Sequence, residues 1–266
     1  SKEIRLSLMS QLFFATSARS AVGLVRNGNE DSALASSHLI AVADGMGGHA
    51  AGEVASKIAI TTLELSASAF TNSEIDHESA DDLFLNSIHV IDSEIKDAVN
   101  EDPQLAGMGT TLTSLFLRGT DVALLHIGDS RAYRLRGNSF DQLSVDHTVI
   151  QELLNAGTIS ESEVSTHPQR SVLTQVLMGE GNLEVPLPIF EGKFKDRYLV
   201  CSDGLSSVLS DKEIKSLIKG KDRDEAVAAL VEATYINGAP DNVTVVIADL
   251  VEEPQPDIFE KIGAAR

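Results

Sequence analysis

Four segments of this 266-residue sequence pair a short apolar run with an aspartate that lies beside a glycine or a tight turn. A short apolar run bounded by turn residues predicts a strand buried in a sheet. Each carboxylate would then lie at the end of a strand that a packed core holds rigidly in place. The residues that impose this constraint on the fold are Asp44, Asp129, Asp203 and Asp241.

A hairpin turn is the ordinary explanation of any single Asp-Gly pair, because these residues favour two-residue turns. It explains the whole set less well. Asp203-Gly204 is followed by a loop and a predicted helix, and strand character resumes only after Asp129-Ser130-Arg131. Several carboxylates with backbone carbonyls, and without a Cys/His cluster or zinc-ligand spacing, indicate instead a site for a hard cation such as Mg²⁺ or Mn²⁺.

The glycine-rich stretch after Asp44 allows another interpretation. Gly45-x-Gly47-x-x-Ala50 matches the fingerprint of a dinucleotide-binding turn, with Glu64 downstream. Two observations count against it. The Asp44 carboxylate would face the pyrophosphate, and the segments that follow do not alternate between strand and helix. A titration with nicotinamide or flavin cofactors would decide the question.

The charge balance restricts the partners. The chain has 21 Lys and Arg residues against 40 Asp and Glu residues, which gives a net charge of -19. This charge repels nucleic acid and anionic lipid, and a phosphorylated substrate would need bound cations. The single cysteine excludes an internal disulfide and favours the cytoplasm. No run approaches the roughly 18 apolar residues of a membrane helix, so an anchor of the parent protein would lie beyond residue 266.

The order of the predicted elements indicates one layered α+β domain over residues 1–250. Residues 1–9 alternate as an edge strand does, and the acidic, proline-containing residues 251–266 predict a tail or linker. The predicted helices are 50–69, 81–99, 147–156, one opened by a capping box at 210–213, and 224–236. The predicted strands are two within 20–45, a meander of 111–117, 122–127 and 131–135, and then 198–202 and 243–250.

The order of six motifs is similar to that of the metal-dependent protein phosphatases of the 2C type. The resemblance covers about residues 15–250 and is greatest to the bacterial, actinobacterial-like branch of serine/threonine phosphatases. The motifs are Val25-Arg26-x-x-x-Glu30-Asp31, Ala43-Asp44-Gly45-Met46-Gly47-Gly48, Gly107-x-Gly109-Thr110-Thr111, Gly128-Asp129-Ser130-Arg131, Cys201-Ser202-Asp203-Gly204 and Asp241-Asn242-x-Thr244.

The resemblance implies a four-layer α-β-β-α sandwich, with two stacked antiparallel sheets flanked by helix pairs and a flap at about residues 147–172. It also implies an enzyme that hydrolyses phosphoserine and phosphothreonine in proteins. A hydroxide bridging two Mn²⁺ or Mg²⁺ ions would attack phosphorus without a phospho-enzyme intermediate. The implied partners are phosphorylated proteins, including serine/threonine kinases and their substrates, and the family favours a monomer.

The resemblance also implies roles for individual residues. Asp44 would bridge two metals, with Asp203 and Asp241 completing the ligands of the first metal. The Gly45 carbonyl would bind the second, and Asp129 with Asp203 would hold a third, weaker one. Arg26 would bind the substrate phosphate. The residues expected to act behind these ligands are Glu30, Asp31 and Asn242.

The general acid stays unassigned. Eukaryotic relatives commonly carry histidine directly after the Asp-Gly pair, whereas this chain has Met46, which cannot donate a proton. A metal-bound water is an equal candidate, and His126, within a strand, is expected to be structural. Cys201 does not indicate a cysteine phosphatase, because Ser207 stands where that chemistry needs an arginine. Further histidines near the predicted site are His49, close to Met46 in sequence, and His147 and His167, which lie in the flap segment. Arg170 of the same segment could contact phosphopeptides, although an ordinary surface role is the alternative.

A second hypothesis is a pseudophosphatase, a module that binds metal or phosphoproteins without turnover. The intact set of aspartates argues against it, since such proteins often lose ligands. Asp203→Asn and Asp241→Asn should separate the two hypotheses, because each substitution should abolish turnover and leave the fold intact.

Overall fold

Two antiparallel sheets lie face to face in the computed structural model, which describes residues 11–48 and 51–266. The first sheet has the order β1-β11-β10-β7-β8, with β1 Phe13–Ala21, β7 Arg131–Arg136, β8 Ser139–Gln142, β10 Arg197–Cys201 and β11 Val243–Val251. The second has the order β12-β2-β3-β5-β6-β9, with β2 Asp31–Ala35, β3 Leu39–Met46, β5 Leu112–Arg118, β6 Asp121–Ile127, β9 Ile189–Glu191 and β12 Glu260–Gly263, and β4 Gly109–Thr110 pairs with the end of β3.

Helices cover the outer face of each sheet. α1 (Ala51–Phe70) and α2 (His77–Glu101) pack on the second sheet, and α5 (Asp211–Ile218) and α6 (Arg223–Ile236) pack on the first. This confirms the predicted four-layer sandwich. The shorter helices are α3 Val149–Asn155, α4 Asp203–Ser206 and two 3₁₀ turns, Pro103–Leu105 and Glu161–Thr166. Within the described ranges, every helix is too short or too polar to cross a membrane.

The central strands are apolar on both faces because each lies between two layers. Side chains alternate between the faces of a strand. In β11, Val245 and Ile247 pack toward the helices, whereas Val246 and Ala248 pack toward the other sheet. Burial on both sides explains why the strand sequences are near-continuous apolar runs instead of alternating patterns.

The predicted meander is wrong in its third strand. β5 and β6 are neighbours in the second sheet, but β7 pairs with β10 in the first sheet. Gly128 makes the crossing possible, because it has a φ of 105° and a Cβ there would lie 2.5 Å from the Thr111 side chain. The turn therefore moves the chain from one sheet to the other beside Asp129.

The predicted tail over residues 251–266 is also wrong in part. Residues 260–263 form β12, which pairs with β2 at the edge of the second sheet, and Ala265 is buried. Main-chain hydrogen bonds to β2 hold this segment in place, and the amino-acid composition of the segment does not indicate such pairing. The predicted edge strand at residues 1–9 lies outside the described residues.

Candidate metal centre

All four predicted aspartates lie at one end of the sandwich. Asp44 is near the end of β3, Asp129 follows β6, Asp203 follows β10 and opens α4, and Asp241 precedes β11. Because the strands are antiparallel, the end of one lies beside the start of the next. The edge where the two sheets meet therefore gathers carboxylates from distant parts of the sequence.

Asp44 and Asp203 are neighbours in this group, with carboxyl groups within hydrogen-bonding reach of each other. Burial raises the pKa of both groups, and the neighbouring negative charges raise that of Asp44 further. Burial and the Asp203 charge also raise the pKa of Asp129 to about 7. A cation bound among these groups would relieve the repulsion that disfavours their charged forms.

Asp31 lies directly behind this pair and is fully buried. It is the cross-strand neighbour of Asp44, and its Oδ2 accepts a hydrogen bond of 2.7 Å from Ser202 Oγ. Its Oδ1 is buried with no hydrogen-bond partner. Burial raises the pKa of Asp31 to about 7, although the Ser202 hydrogen bond acts in the opposite direction. A buried oxygen without a donor is expected where water or an ion completes the site.

Asp241 is held differently from Asp44 and Asp203. Its Oδ2 accepts a hydrogen bond of 2.8 Å from Arg26 Nη2, and its Oδ1 accepts one of 2.8 Å from Asn242 N. The Asn242 side chain accepts from Glu30 N and donates to two carbonyls of the loop that carries Arg26, each at 2.8 Å. Asn242 therefore fixes the loop that presents the guanidinium. The two carbonyls belong to Val22 and Gly28.

Gly45 lies where two backbone segments approach closely. A Cβ on Gly45 would lie 1.9 Å from the Gly52 carbonyl oxygen and 2.7 Å from the Glu30 carbonyl oxygen. No side chain fits in that space. Glycine at position 45 therefore lets α1 and the Glu30 loop pack directly against the Asp44 turn.

The donor set fits a hard cation. Its members are carboxylate oxygens, with the Gly45 carbonyl as a further predicted ligand, and Mg²⁺ in proteins uses one or two carboxylates together with several waters. Over residues 11–48 and 51–266, no group of three His, Cys, Asp or Glu side chains is placed to hold a metal alone. The predicted joint ligation by Asp44, Asp203 and Asp241 is thus not assembled here, since Asp241 pairs with Arg26, and it stays a prediction.

A hydroxyl network behind Asp44 was not predicted. Thr111 Oγ1 accepts a hydrogen bond of 3.0 Å from Asp44 N and lies 2.7 Å from Ser130 Oγ. The two hydroxyls link the Asp44 strand to the Asp129 turn. Both residues lie in the glycine-containing motifs around Gly109 and Gly128, but no sequence pattern indicates that they contact each other. Ser202, next to Asp203, has the same kind of supporting role for Asp31.

His126, His147 and Cys201 make no hydrogen bond to Asp44 or Asp203 in the part of the chain that the structure describes. His126 is confirmed as structural: it is buried, and its ring nitrogens contact Thr113 Oγ1 at 2.9 Å and Val145 O at 3.0 Å. His147 Nδ1 accepts from Gly128 N at 3.1 Å. Cys201 is buried in β10, and burial raises the pKa of its thiol to about 12, which suppresses the thiolate. His49 lies outside the described residues.

The segment 147–172 leaves the first sheet and returns to nearly the same point. Thr148 and Leu173 form a β-bridge at its base, and α3 and a 3₁₀ turn lie between them. His167 accepts a hydrogen bond from Gln169 N, and Arg170 donates to Ser165 O, so both contact their own segment. The role of this segment as a flap stays a prediction.

Comparison with known proteins identifies the family. The sequence profile described as protein phosphatase 2C matches residues 28–234. The chain belongs to the protein phosphatase 2C family. It is 43% identical over 238 residues to the serine/threonine protein phosphatase PstP of Mycobacterium tuberculosis, which covers 88% of this chain and 45% of that protein. The chain thus spans about half the length of this curated relative.

Other relatives of this phosphatase family agree in sequence and in structure. The serine/threonine phosphatase stp of Listeria welshimeri is 33% identical over 234 residues, 85% of this chain and 92% of that protein. The crystal structure of Mycobacterium tuberculosis PstP superposes with a TM-score of 0.82 at 41% identity, covering 89% of this chain and 98% of that one. A structure of the PstP catalytic domain in complex with two manganese ions gives 0.80 at 40% identity, covering 90% and 99%.

Proposed function

We propose that this domain hydrolyses phosphoserine and phosphothreonine esters in proteins, with two Mn²⁺ or Mg²⁺ ions as cofactors. The observation that carries the proposal is the gathering of Asp44, Asp129, Asp203 and Asp241 at one end of the sandwich, where strand ends from both sheets meet. The likeness to a phosphatase domain complexed with two manganese ions supports the cofactor. The proposed substrates are phosphoproteins of the cytoplasm, including serine/threonine kinases, and the proposed form is a monomer.

The aspartates would hold the ions, and Arg26 would bind the phosphate. Asp44 would bridge the two ions, Asp203 and Asp241 would complete the first, and the Gly45 carbonyl would bind the second. Two divalent ions held by these residues would supply an activated water for in-line attack and would neutralise charge on the phosphoryl group. Water as the nucleophile implies that no phospho-enzyme forms.

Several residues would act by positioning these groups. Asn242 holds the Arg26 loop through three hydrogen bonds, so the guanidinium would meet the phosphate in a prepared orientation. Arg26 would then exchange its partner, Asp241, for phosphate oxygens, to which a guanidinium donates two parallel hydrogen bonds. The Asp241 carboxylate released in this exchange would be able to join Asp203 at an ion. Glu30 and Asp31 would orient water behind the ligands, and Asp129 with Asp203 would hold a third, weaker ion.

Release of phosphate from a phosphothreonine peptide tests the proposal. Turnover should require Mn²⁺ or Mg²⁺, stop with excess chelator and return when the metal is restored. Asp203→Asn should lower kcat at least about 100-fold, whereas Asp82→Asn, on the exposed face of α2, should leave it unchanged. Retained activity in Asp203→Asn, or turnover in chelator, would contradict the metal assignment.

The pseudophosphatase is the alternative that this assay must separate. Calorimetric titration with Mn²⁺ measures binding independently of turnover. A folded protein that binds Mn²⁺ but releases no phosphate from phosphoserine or phosphothreonine peptides would favour the pseudophosphatase. Loss of both binding and turnover in Asp203→Asn, with an unchanged melting temperature in chelator, would favour the enzyme.

A further inference from the structure

The end of the first sheet opposite the aspartates carries a groove of about 550 Å³, a volume typical of ligand sites. β10 begins there with Arg197 and β11 ends there, whereas the other ends of both strands lead to Asp203 and Asp241. The separation between Arg197 and Asp203 along the chain corresponds to roughly 20 Å of strand. The groove is therefore a separate surface from the candidate metal centre.

The groove is positively charged, whereas the protein as a whole is negatively charged. Four cationic residues and one carboxylate, Asp249, line it, in a chain that has 40 acidic and 21 basic residues. Asp249 is already neutralised, because Arg197 donates to it at 2.7 and 2.9 Å and Arg223 at 3.4 Å. In the part of the chain that the structure describes, no carboxylate lies within 4.0 Å of the amino groups of the three lysines that line the groove, Lys195, Lys219 and Lys221.

The lysines on one wall extend from a fixed turn. Arg197 Nη1 donates to the carbonyl oxygens of Ile218 at 2.6 Å and Lys221 at 2.8 Å, which ties the end of α5 to β10. Gly220 completes this turn with a φ of 75°. Since the backbone is fixed, less conformational entropy is lost when Lys219 and Lys221 engage a ligand.

The other wall combines an apolar side chain with a cation. Phe194 is 49% exposed, and Lys195 Nζ lies 5.3 Å from the centre of its ring. Lys195 has a φ of 72°, a conformation that side chains other than glycine rarely adopt. A hydrogen bond of 3.0 Å from Lys195 N to Leu250 O holds it there. Strained backbone of this kind is concentrated at functional sites, which is consistent with a binding role for this wall.

We propose that this groove docks an acidic peptide segment of a partner protein, with one apolar side chain among its carboxylates. The partner's carboxylates would meet Lys195, Lys219 and Lys221, and its apolar side chain would pack against Phe194. Charge complementarity selects the occupant: the net charge of -19 repels acidic chains elsewhere, so the groove supplies both attraction and orientation. The proposal does not depend on the proposed phosphatase activity.

Fluorescence anisotropy with a labelled Glu-Glu-Asp-Leu-Glu-Glu peptide tests the groove. We expect saturable binding that weakens as salt rises. Lys195→Glu/Lys219→Glu/Lys221→Glu should raise Kd at least about tenfold, which exceeds what surface charge alone does through screened interactions. A control with the same change of net charge, at three exposed lysines outside the groove, should change Kd less than about threefold. The control is Lys57→Glu/Lys96→Glu/Lys212→Glu.

Three results would overturn the proposal: no saturable binding of the peptide, an equal loss in both triple variants, or binding of an RNA oligonucleotide at the groove in place of the peptide. Circular dichroism melts check that the variants fold. If the groove triple variant does not fold, Phe194→Ser and Lys195→Gln provide milder changes at two exposed side chains. Each should still raise Kd, and an unchanged Kd in both would also reject the site.

Discussion

Arg26 and Asp241 form an ion pair of 2.8 Å across 215 residues of sequence. The Arg26 side chain is 50% exposed and that of Asp241 is 33% exposed. Exposed pairs contribute about 0–1 kcal/mol to stability. The pair therefore contributes little to the stability of the fold. Its consequence is to hold the Arg26 guanidinium at the entrance of the acidic centre.

Arg26→Ala should separate binding from stability. If Arg26 binds the substrate phosphate, kcat/KM should fall about 10- to 100-fold, because charged hydrogen bonds to phosphate are lost. The free energy of unfolding should change by less than about 1 kcal/mol. Steady-state kinetics and urea unfolding measure the two quantities. Arg19→Ala, at an exposed position of β1, is the control, and an equal loss of kcat/KM there would contradict the role of Arg26.

Gly45→Ala should destabilise the protein by about 3 kcal/mol, because overpacking forces the backbone apart. The added Cβ would lie 1.9 Å from the Gly52 carbonyl oxygen. Gly28→Ala is a matched control on the neighbouring loop, since a Cβ there meets nothing within 4 Å and its φ is not in the left-handed region. Urea unfolding in chelator measures both. A similar effect of the two substitutions would show that the close packing at Gly45 is not required.

Asp92 should contribute more to the stability of the protein than is usual for an acidic residue on an amphipathic helix such as α2. Its carboxylate is buried and accepts hydrogen bonds from the backbone N–H groups of Met178, Gly179 and Gly181, at 3.2, 2.7 and 2.8 Å. Asp92→Asn removes the charge and places an amide N–H against a backbone donor. We expect a loss of about 1–3 kcal/mol.

Hydrogen exchange can localise the effect of Asp92→Asn. The amides of Met178, Gly179 and Gly181 should lose protection first, because the carboxylate holds them, while the sheet amides should stay protected. Asp97→Asn, at an exposed position of the same helix, should change neither stability nor exchange. Uniform loss of protection across the protein would indicate that Asp92 supports the whole fold and not this loop.

His126 should make the protein sensitive to acid. Burial, together with the neighbouring His147, lowers its pKa from 6.5 to about 3. In the neutral ring, Nε2 donates to Val145 O and Nδ1 accepts from Thr113 Oγ1. The unfolded chain binds the proton first, so stability is lost as the pH falls from about 6.5 toward 3, by about 1.4 kcal/mol at pH 5.5.

Unfolding of His126→Gln at pH 7.5 and pH 5.5 checks this prediction. The glutamine amide keeps a donor for Val145 O but does not titrate. The variant should be less stable than the native protein at pH 7.5, and its stability should change less between the two pH values. Because the acidic cluster titrates in both proteins, the difference between their pH slopes isolates His126. Equal slopes would mean that His126 does not carry the effect.

The sequence predicted the gathering of the aspartates but not all of their contacts. Strand ends are readable because apolar runs stop at Asp44 and Asp203, and an antiparallel fold brings such ends together. The partner of Asp241 was not predictable, since Arg26 can pair with a carboxylate or a phosphate. The burial of Asp92 was also hidden, because its partners lie more than 80 residues away and a lone acid on an amphipathic helix indicates a solvent-facing position.

The strand errors have a similar cause. The sequences of β6 and β7 both contain apolar residues, as expected for strands that are neighbours in one sheet. The turn between them, however, decides which strands they pair with. One glycine with a φ of 105° sends β7 to the other sheet. The pairing of β12 depends on an open edge of β2, which local composition does not describe.

The position of β11 bears on whether a ligand in the groove can influence the candidate metal centre at the other end of the molecule. This strand starts after Asp241 and ends at the cationic groove, and it is hydrogen-bonded on both sides, to β1 and β10. Main-chain hydrogen bonds on both edges oppose a shift of this strand, and coupling between distant sites needs an element with two arrangements. Binding of a peptide in the groove should therefore leave the metal affinity and kcat at the other end unchanged. A substrate tethered through the groove would only have a higher local concentration at the metal centre, which lowers its KM.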